Sequence, residues 1–117
     1  MNSGRKFVAN KIVPVPPFTR EVKRLLKKFP SLDRELQELL NALAAEAAMG
    51  TAIGRNCYKI RLKIASKGKG GSGGARVITC VVAVEEAVYL LSIYDKSEQT
   101  TISDKRLEEL LKLLPAS

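Results

Sequence analysis

The chain has 117 residues, 45 % of them hydrophobic, and carries a formal net charge of +8 with no histidine. That length holds one domain of ordinary size, so residues 1–117 are read as a single unit. No run approaches the roughly 18 consecutive apolar residues a membrane span needs, and residues 1–11 are charged rather than leader-like, so a cytoplasmic protein without membrane contacts is expected. Two cysteines, Cys57 and Cys80, are too few for a disulfide scaffold, and without histidine no clustered set of metal ligands is available. They read as buried thiols, with a disulfide between them as the alternative.

The charge is unevenly spread. Residues 1–46 carry nine basic and five acidic side chains, and residues 85–117 carry four basic and seven acidic. Between them, residues 47–84 hold Arg55, Lys59, Arg61, Lys63, Lys67, Lys69 and Arg76 and no Asp or Glu. So one-sided a stretch creates a positive field suited to a polyanion.

In chain order, residues 8–15 alternate weakly and run into Pro14-Val15-Pro16-Pro17, which predicts an opening strand followed by a helix start. Phe18, Val22, Leu25, Leu26 and Phe29 then keep helical spacing, with Arg20, Lys23, Arg24, Lys27 and Lys28 on the other face. Pro30 ends that helix, and Ser31 is placed to cap a second whose stripe is Leu32, Leu36, Leu39, Leu40, Leu43 and Ala47, fading near Gly50. From Cys57 the period becomes two: Tyr58, Ile60, Leu62 and Ile64 on one face of a strand, Lys59, Arg61 and Lys63 on the other. Residues 66–74 hold five of the eight glycines and read as a flexible hairpin loop. Residues 76–84 are apolar on both faces, as in a central strand, and residues 87–94 repeat that pattern after a Glu85-Glu86 turn. A last helix starts near Ser103 and presents Leu107, Leu110, Leu111 and Leu114. The order β-α-α-β-β-β-α implies an α+β fold: a mainly antiparallel sheet with the N-terminal helical hairpin packed on one face.

The glycine loop is not a P-loop, since no Gly-Lys-Ser/Thr follows it and it joins two strands. With Lys67 and Lys69 it reads either as a plain linker tip or as a mobile basic loop that closes over RNA. Lys59, Arg61 and Lys63 at every second strand position set cations about 7 Å apart, near the phosphate spacing of an extended nucleic-acid backbone. Arg76 enters an otherwise apolar strand, where a charge must reach the rim or be paired. Aromatic content of 5 % argues against a base-stacking platform.

Three runs resemble toxins of the RelE/ParE superfamily of type II toxin–antitoxin systems: Cys57 to Lys63, Gly73-Gly74-Ala75-Arg76-Val77-Ile78, and Leu90 to Gln99. The glycine loop with Gly-Gly-Ala-Arg looks like the RelE/HigB-like branch. The resemblance implies a toxin that enters the ribosomal A site, cuts mRNA and is neutralised by a cognate antitoxin. It also implies a cleft lined by Lys59, Arg61, Arg76 and Lys96. The family's tyrosine after the last strand is missing, since residues 97–103 contain none and Tyr94 comes earlier. Proton transfer is therefore left open among Lys59, Tyr94, Glu98 and the ribosome's own groups, with Arg55, Lys63, Lys67 and Lys69 as further RNA contacts. Attack of a 2′-OH on its neighbouring phosphate needs positioning, charge stabilisation and proton transfer, which Lys and Arg can support without cofactor or metal. Two rivals share the fold: a toxin of the ParE kind that inhibits DNA gyrase without cutting anything, and an inactive nucleic-acid-binding relative.

Overall fold

The computed structural model describes residues 9–67 and 73–115. Five strands and three α-helices form an α+β fold: β1 (Lys11–Pro14), α1 (Pro16–Lys28), α2 (Leu32–Ala45), β2 (Thr51–Gly54), β3 (Cys57–Leu62), β4 (Ala75–Val82), β5 (Ala87–Asp95) and α3 (Asp104–Leu111). The sheet order is β1-β5-β4-β3-β2. β5, β4, β3 and β2 pair antiparallel, whereas β1 lies parallel to β5, so the sheet is mixed.

β4 lies between β5 and β3 and is buried on both faces over residues 75–80, as its largely apolar sequence, interrupted by Arg76 and Thr79, allows. The helical hairpin covers the face that bears Ile60, Leu62, Val88 and Leu90. A cavity of about 340 Å³ lies between Phe18, Val22 and Leu40 of the hairpin and Ile12, Pro14 and Leu90 of the strands. Leu25 and Leu43 are fully buried, and truncating either to Ala would cost about 2–5 kcal/mol in transfer and cavity terms. α3 packs instead on the opposite face, where Leu111 and Leu114 flank Cys80 and Val82. The helices thus divide between the faces.

Several expectations are corrected. β2 was not anticipated. It is short and mostly exposed, and it joins β3 through Arg55 and Asn56, both at positive φ (57° and 63°), the twist-matched geometry of a two-residue hairpin turn. The dipeptide Arg-Asn lacks the glycine that normally marks such a turn. α2 ends at Ala45 rather than Ala47. Ser31 does not cap it: its backbone is helical and its side chain makes no capping bond. Ser31 Oγ instead lies 2.8 Å from Ser66 Oγ and donates to Glu35 Oε1 at 3.1 Å. Glu35 Oε2 accepts the Ala65 N–H at 2.6 Å, so Ser66, expected at the free start of the loop, is pinned to α2. Residues 83–85 leave the sheet as a 3-10 turn closed by Glu86 at φ 53°. Of the loop itself, residues 68–72 lie outside the described residues, as does Val8.

The turn after β5 is tied to α1 by charge. Arg24 and Lys28, one helical turn apart, reach Glu98 at 2.6 and 3.1 Å, and Lys28 Nζ stands 3.8 Å from Oδ2 of the fully buried Asp95. Asp95 Oδ1 accepts from the Ser97 N–H and hydroxyl. Hydrogen bonds from Arg24 and then Lys28 hold the Glu98 carboxyl below its ordinary value of 4.5. A carboxylate depressed on folding contributes stability above its unfolded value and loses it as pH falls through the folded one. Glu98→Gln is therefore expected to lower the melting temperature slightly at neutral pH, because the pairs are exposed. That difference should vanish on acidification below pH 4.5, as parallel melts from pH 7 to 3 would read. A second variant probes the entry to β4, where Gly74 has φ +48° and an added Cβ would run into the Leu62 carbonyl. Gly74→Ala should cost about 1–3 kcal/mol by urea denaturation.

Candidate nucleic-acid interface

Strand register assembles the cations. Arg61 is directly opposite Arg76, and Arg76 is directly opposite Tyr94, so the three side chains form one row across β3, β4 and β5 on the sheet face away from the helical hairpin. One step along the same face is the row Lys59–Ile78–Ser92, and beyond it Cys57–Cys80–Tyr89. Leu111 of α3 and Leu114 beyond it lie beside Cys80 of the third row.

Within the first row the environments differ. Arg61 is exposed. Arg76 is 6 % exposed, and its Nη1 donates to the carbonyls of Gly73 (2.8 Å) and Ala75 (3.1 Å). The side chain that had to be paired is thus held by main-chain oxygens, which orient the guanidinium. None of Lys59, Arg61 or Arg76 has a carboxylate partner among the described residues. The Tyr94 hydroxyl is buried and finds no hydrogen-bond partner there either. Burial pushes its phenol upward while the neighbouring Arg76 charge pulls the other way, with burial the larger influence. A phenol so raised stays protonated at neutral pH and can donate a hydrogen bond but is a poor base.

The remaining sequence candidates divide. Lys59 is half-buried in the second row. The Lys96 N–H donates to the Gly74 carbonyl at 3.0 Å, extending the β4–β5 pairing by one residue and bringing Lys96, by alternation, to the Tyr94 side. Glu98 is not brought to this face: it is bound to Arg24 and Lys28 of α1. Lys63, expected to extend the Lys59–Arg61 line, lies past the last paired residue of β3 and lines a cavity of about 510 Å³ with Arg34, Glu35 and Glu38 of α2. Arg55 sits in the turn at the far end of β3, six residues from Arg61, which at about 3.3 Å per residue is roughly 20 Å away. Nothing of the Lys67 side chain or of Lys69 falls within the described residues. Ser92, a half-buried hydroxyl in the Lys59 row, escaped the sequence reading because only the β4–β5 register reveals its face. No group of three or more Cys, Asp or Glu fit for a metal ion occurs among the described residues, and no helix there is long and apolar enough to cross a membrane.

A family profile described as the RelE toxin of the RelE/RelB toxin–antitoxin system matches residues 18–115. Among solved structures, the fold is similar to that of an arginine-to-alanine double mutant of E. coli toxin RelE in the free state. That match has a TM-score of 0.57 and 17 % identity, covering 89 % of this chain and 96 % of that one. It is also similar to a chain of the intact E. coli RelBE toxin–antitoxin complex, with TM-score 0.54 and 21 % identity over 74 % of this chain and 96 % of the other. Profile and fold agree over almost all of the described residues, and the chain belongs to the RelE family of toxins from toxin–antitoxin systems.

Proposed function

We propose that this toxin is a ribosome-dependent mRNA endonuclease acting in the A site without metal or cofactor, and that a cognate antitoxin neutralises it. The observation that carries the reading is the Arg61–Arg76–Tyr94 row with Lys59 beside it, a cationic strip with no carboxylate partner among the described residues, on the sheet face opposite the helical hairpin. The E. coli RelBE complex is the precedent for the antitoxin.

In this mechanism Arg61, exposed, takes hold of the message backbone. Arg76, its orientation set by two carbonyls, keeps its remaining N–H groups for the phosphate at which the 2′-OH attacks, where a fixed fork stabilises growing negative charge without reorganising. Tyr94 donates its proton-bearing hydroxyl to the same phosphate or to the leaving oxygen. Lys59 and Lys96 flank the row and add charge. Glu98 acts from the other side by anchoring the turn that carries Lys96, so it is a positioning residue. Lys63, Lys67, Lys69 and Arg55 contribute long-range attraction that salt screens.

The test is in vitro translation with toe-printing, alongside a supercoiling assay. Cuts at codon positions only when ribosomes are present support the proposal; blocked supercoiling without cuts would indicate gyrase inhibition, and neither effect would indicate an inactive nucleic-acid binder. Arg76→Lys should lose about 10²- to 10³-fold in cleavage rate, the usual cost of removing one preorganised charge-stabilising donor. Tyr94→Phe separates chemistry from folding: removing an unpartnered buried hydroxyl should leave the melting temperature unchanged or higher. Cleavage by the same variant should fall at least about tenfold, as expected for loss of one proton-donating group. Full activity in a folded Arg76→Lys protein would remove Arg76 from the chemistry.

A further inference from the structure

The third row of the cationic face contains both cysteines of the chain, directly opposite one another on adjacent strands. Their kind of pairing follows from a neighbouring bond. The Val81 N–H donates to the Asn56 carbonyl at 2.9 Å, and because close and wide pairs alternate in an antiparallel ladder, the next pair, Cys57 with Cys80, is a non-hydrogen-bonded one. Such pairs have Cα atoms about 4.5 Å apart, at the near end of the roughly 4.4–6.8 Å range a disulfide spans. The side chains agree: Cys57 Sγ and Cys80 Sγ both donate to one acceptor, the Arg55 carbonyl, at 3.5 and 3.8 Å. Both are free thiols.

We infer that Cys57 and Cys80 form a redox-active dithiol that closes to a cross-strand disulfide under mild peroxide, with Cys80 as the sulfur oxidised first. The asymmetry comes from access and from their mutual contact. Cys80 lines a groove of about 520 Å³ with Asn56, Val82, Val84, Leu111 and Leu114, whereas Cys57 is fully buried. The proximity of the two sulfurs holds the Cys80 thiol below its ordinary value, and the same proximity, with burial, pushes Cys57 well above. The sulfur that lines the groove is therefore the more readily ionised of the two, and the thiolate is the nucleophile.

The reaction balances with peroxide as the only oxidant. The Cys80 thiolate attacks one peroxide oxygen, the O–O bond breaks, and the departing hydroxide takes up a proton as water, leaving a sulfenic acid. Cys57 sulfur then attacks Cys80 sulfur, the S–O bond breaks, and the Cys57 proton leaves with the oxygen as a second water. Two thiols and one peroxide yield one disulfide and two waters.

The experiment uses the full chain, fully reduced and then exposed to a small molar excess of hydrogen peroxide, followed by alkylation with N-ethylmaleimide in denaturant and intact-mass analysis. The expected product is a monomer 2 Da lighter, with neither cysteine alkylated, that dithiothreitol returns to two alkylatable thiols. In Cys57→Ser the reaction should stop at a Cys80 sulfenic acid that dimedone traps, while in Cys80→Ser the Cys57 thiol should stay alkylatable. Two alkylated cysteines in the wild type after the same exposure, or a disulfide between two chains, overturns the inference. Dimedone on Cys57 but not on Cys80 overturns the assignment of the sulfur oxidised first. The wild-type arm stands whether or not either serine variant folds.

Discussion

Everything at the cationic face depends on the register between β4 and its two neighbours. Because side chains alternate with a period of two, a one-residue slip of β4 would turn Arg76 into the space under the helical hairpin and bring Val77 out. That space is filled by fully buried apolar groups such as Leu25, Leu90 and Ile93. An unpaired guanidinium there would cost several kcal/mol. The apolar residues thus place the charged ones. Val77 on one face and Ile78 on the other, both fully buried, lock the strand, and Arg76 then falls between Arg61 and Tyr94.

The arrangement carries an electrostatic cost that the core sustains. Like charges directly opposite on adjacent strands are unfavourable, by roughly 0.2–1 kcal/mol for an ordinary cross-strand pair, and Arg61 and Arg76 have no acidic partner to relieve it among the described residues. Counter-charge is abundant elsewhere: Glu21 and Glu98 bracket Arg24 on α1, and Glu109 meets Arg106 on α3. The carboxylates that pair with Arg24 and Arg106 thus lie on the helices and on the turn after β5, away from the strip. A bound phosphate chain would relieve the repulsion as it binds.

Most of the architecture could be read from hydrophobic period alone, since α1, α2, β3, β4, β5 and α3 each bury a stripe that the sequence displays. What escaped has physical reasons. β2 buries little and so shows no alternation, and β1 is only four residues long, so its parallel pairing had no local signature. Ser31 followed a sound local rule, but a tertiary partner, Ser66, outcompeted its own backbone for the hydroxyl. The candidate site was legible in residue type: the acid-free stretch and the Lys59–Arg61 alternation singled out β3 as the strand that carries Arg61 of the row and Lys59 beside it. It was not legible in register, which depends on pairing across a loop. Glu98 and Lys63, each past the end of its strand, lie away from the row because tertiary neighbours set their surroundings: Arg24 and Lys28 of α1 hold Glu98, and Lys63 lines a cavity with Arg34, Glu35 and Glu38 of α2.

A single irregularity in β5 lets that strand serve both faces. The pairing jumps from Ile78↔Ser92 to Thr79↔Leu90, so Leu91 is an extra residue on β5, a bulge. With uninterrupted alternation, keeping Tyr94 and Ser92 on the cationic face would also put Leu90 and Val88 there and turn Tyr89 beneath the helical hairpin. The extra residue reverses the parity midway. Leu90 and Val88 then meet the helices, while Tyr89 emerges on the α3 side, where its hydroxyl donates to Glu85 at 2.6 Å. The bulge is thus what allows one strand to supply Tyr94 to the polar row at one end and an unbroken apolar surface to the hairpin at the other. It sits one residue from the Lys59–Ile78–Ser92 row, so the local twist it adds falls beside the cationic strip.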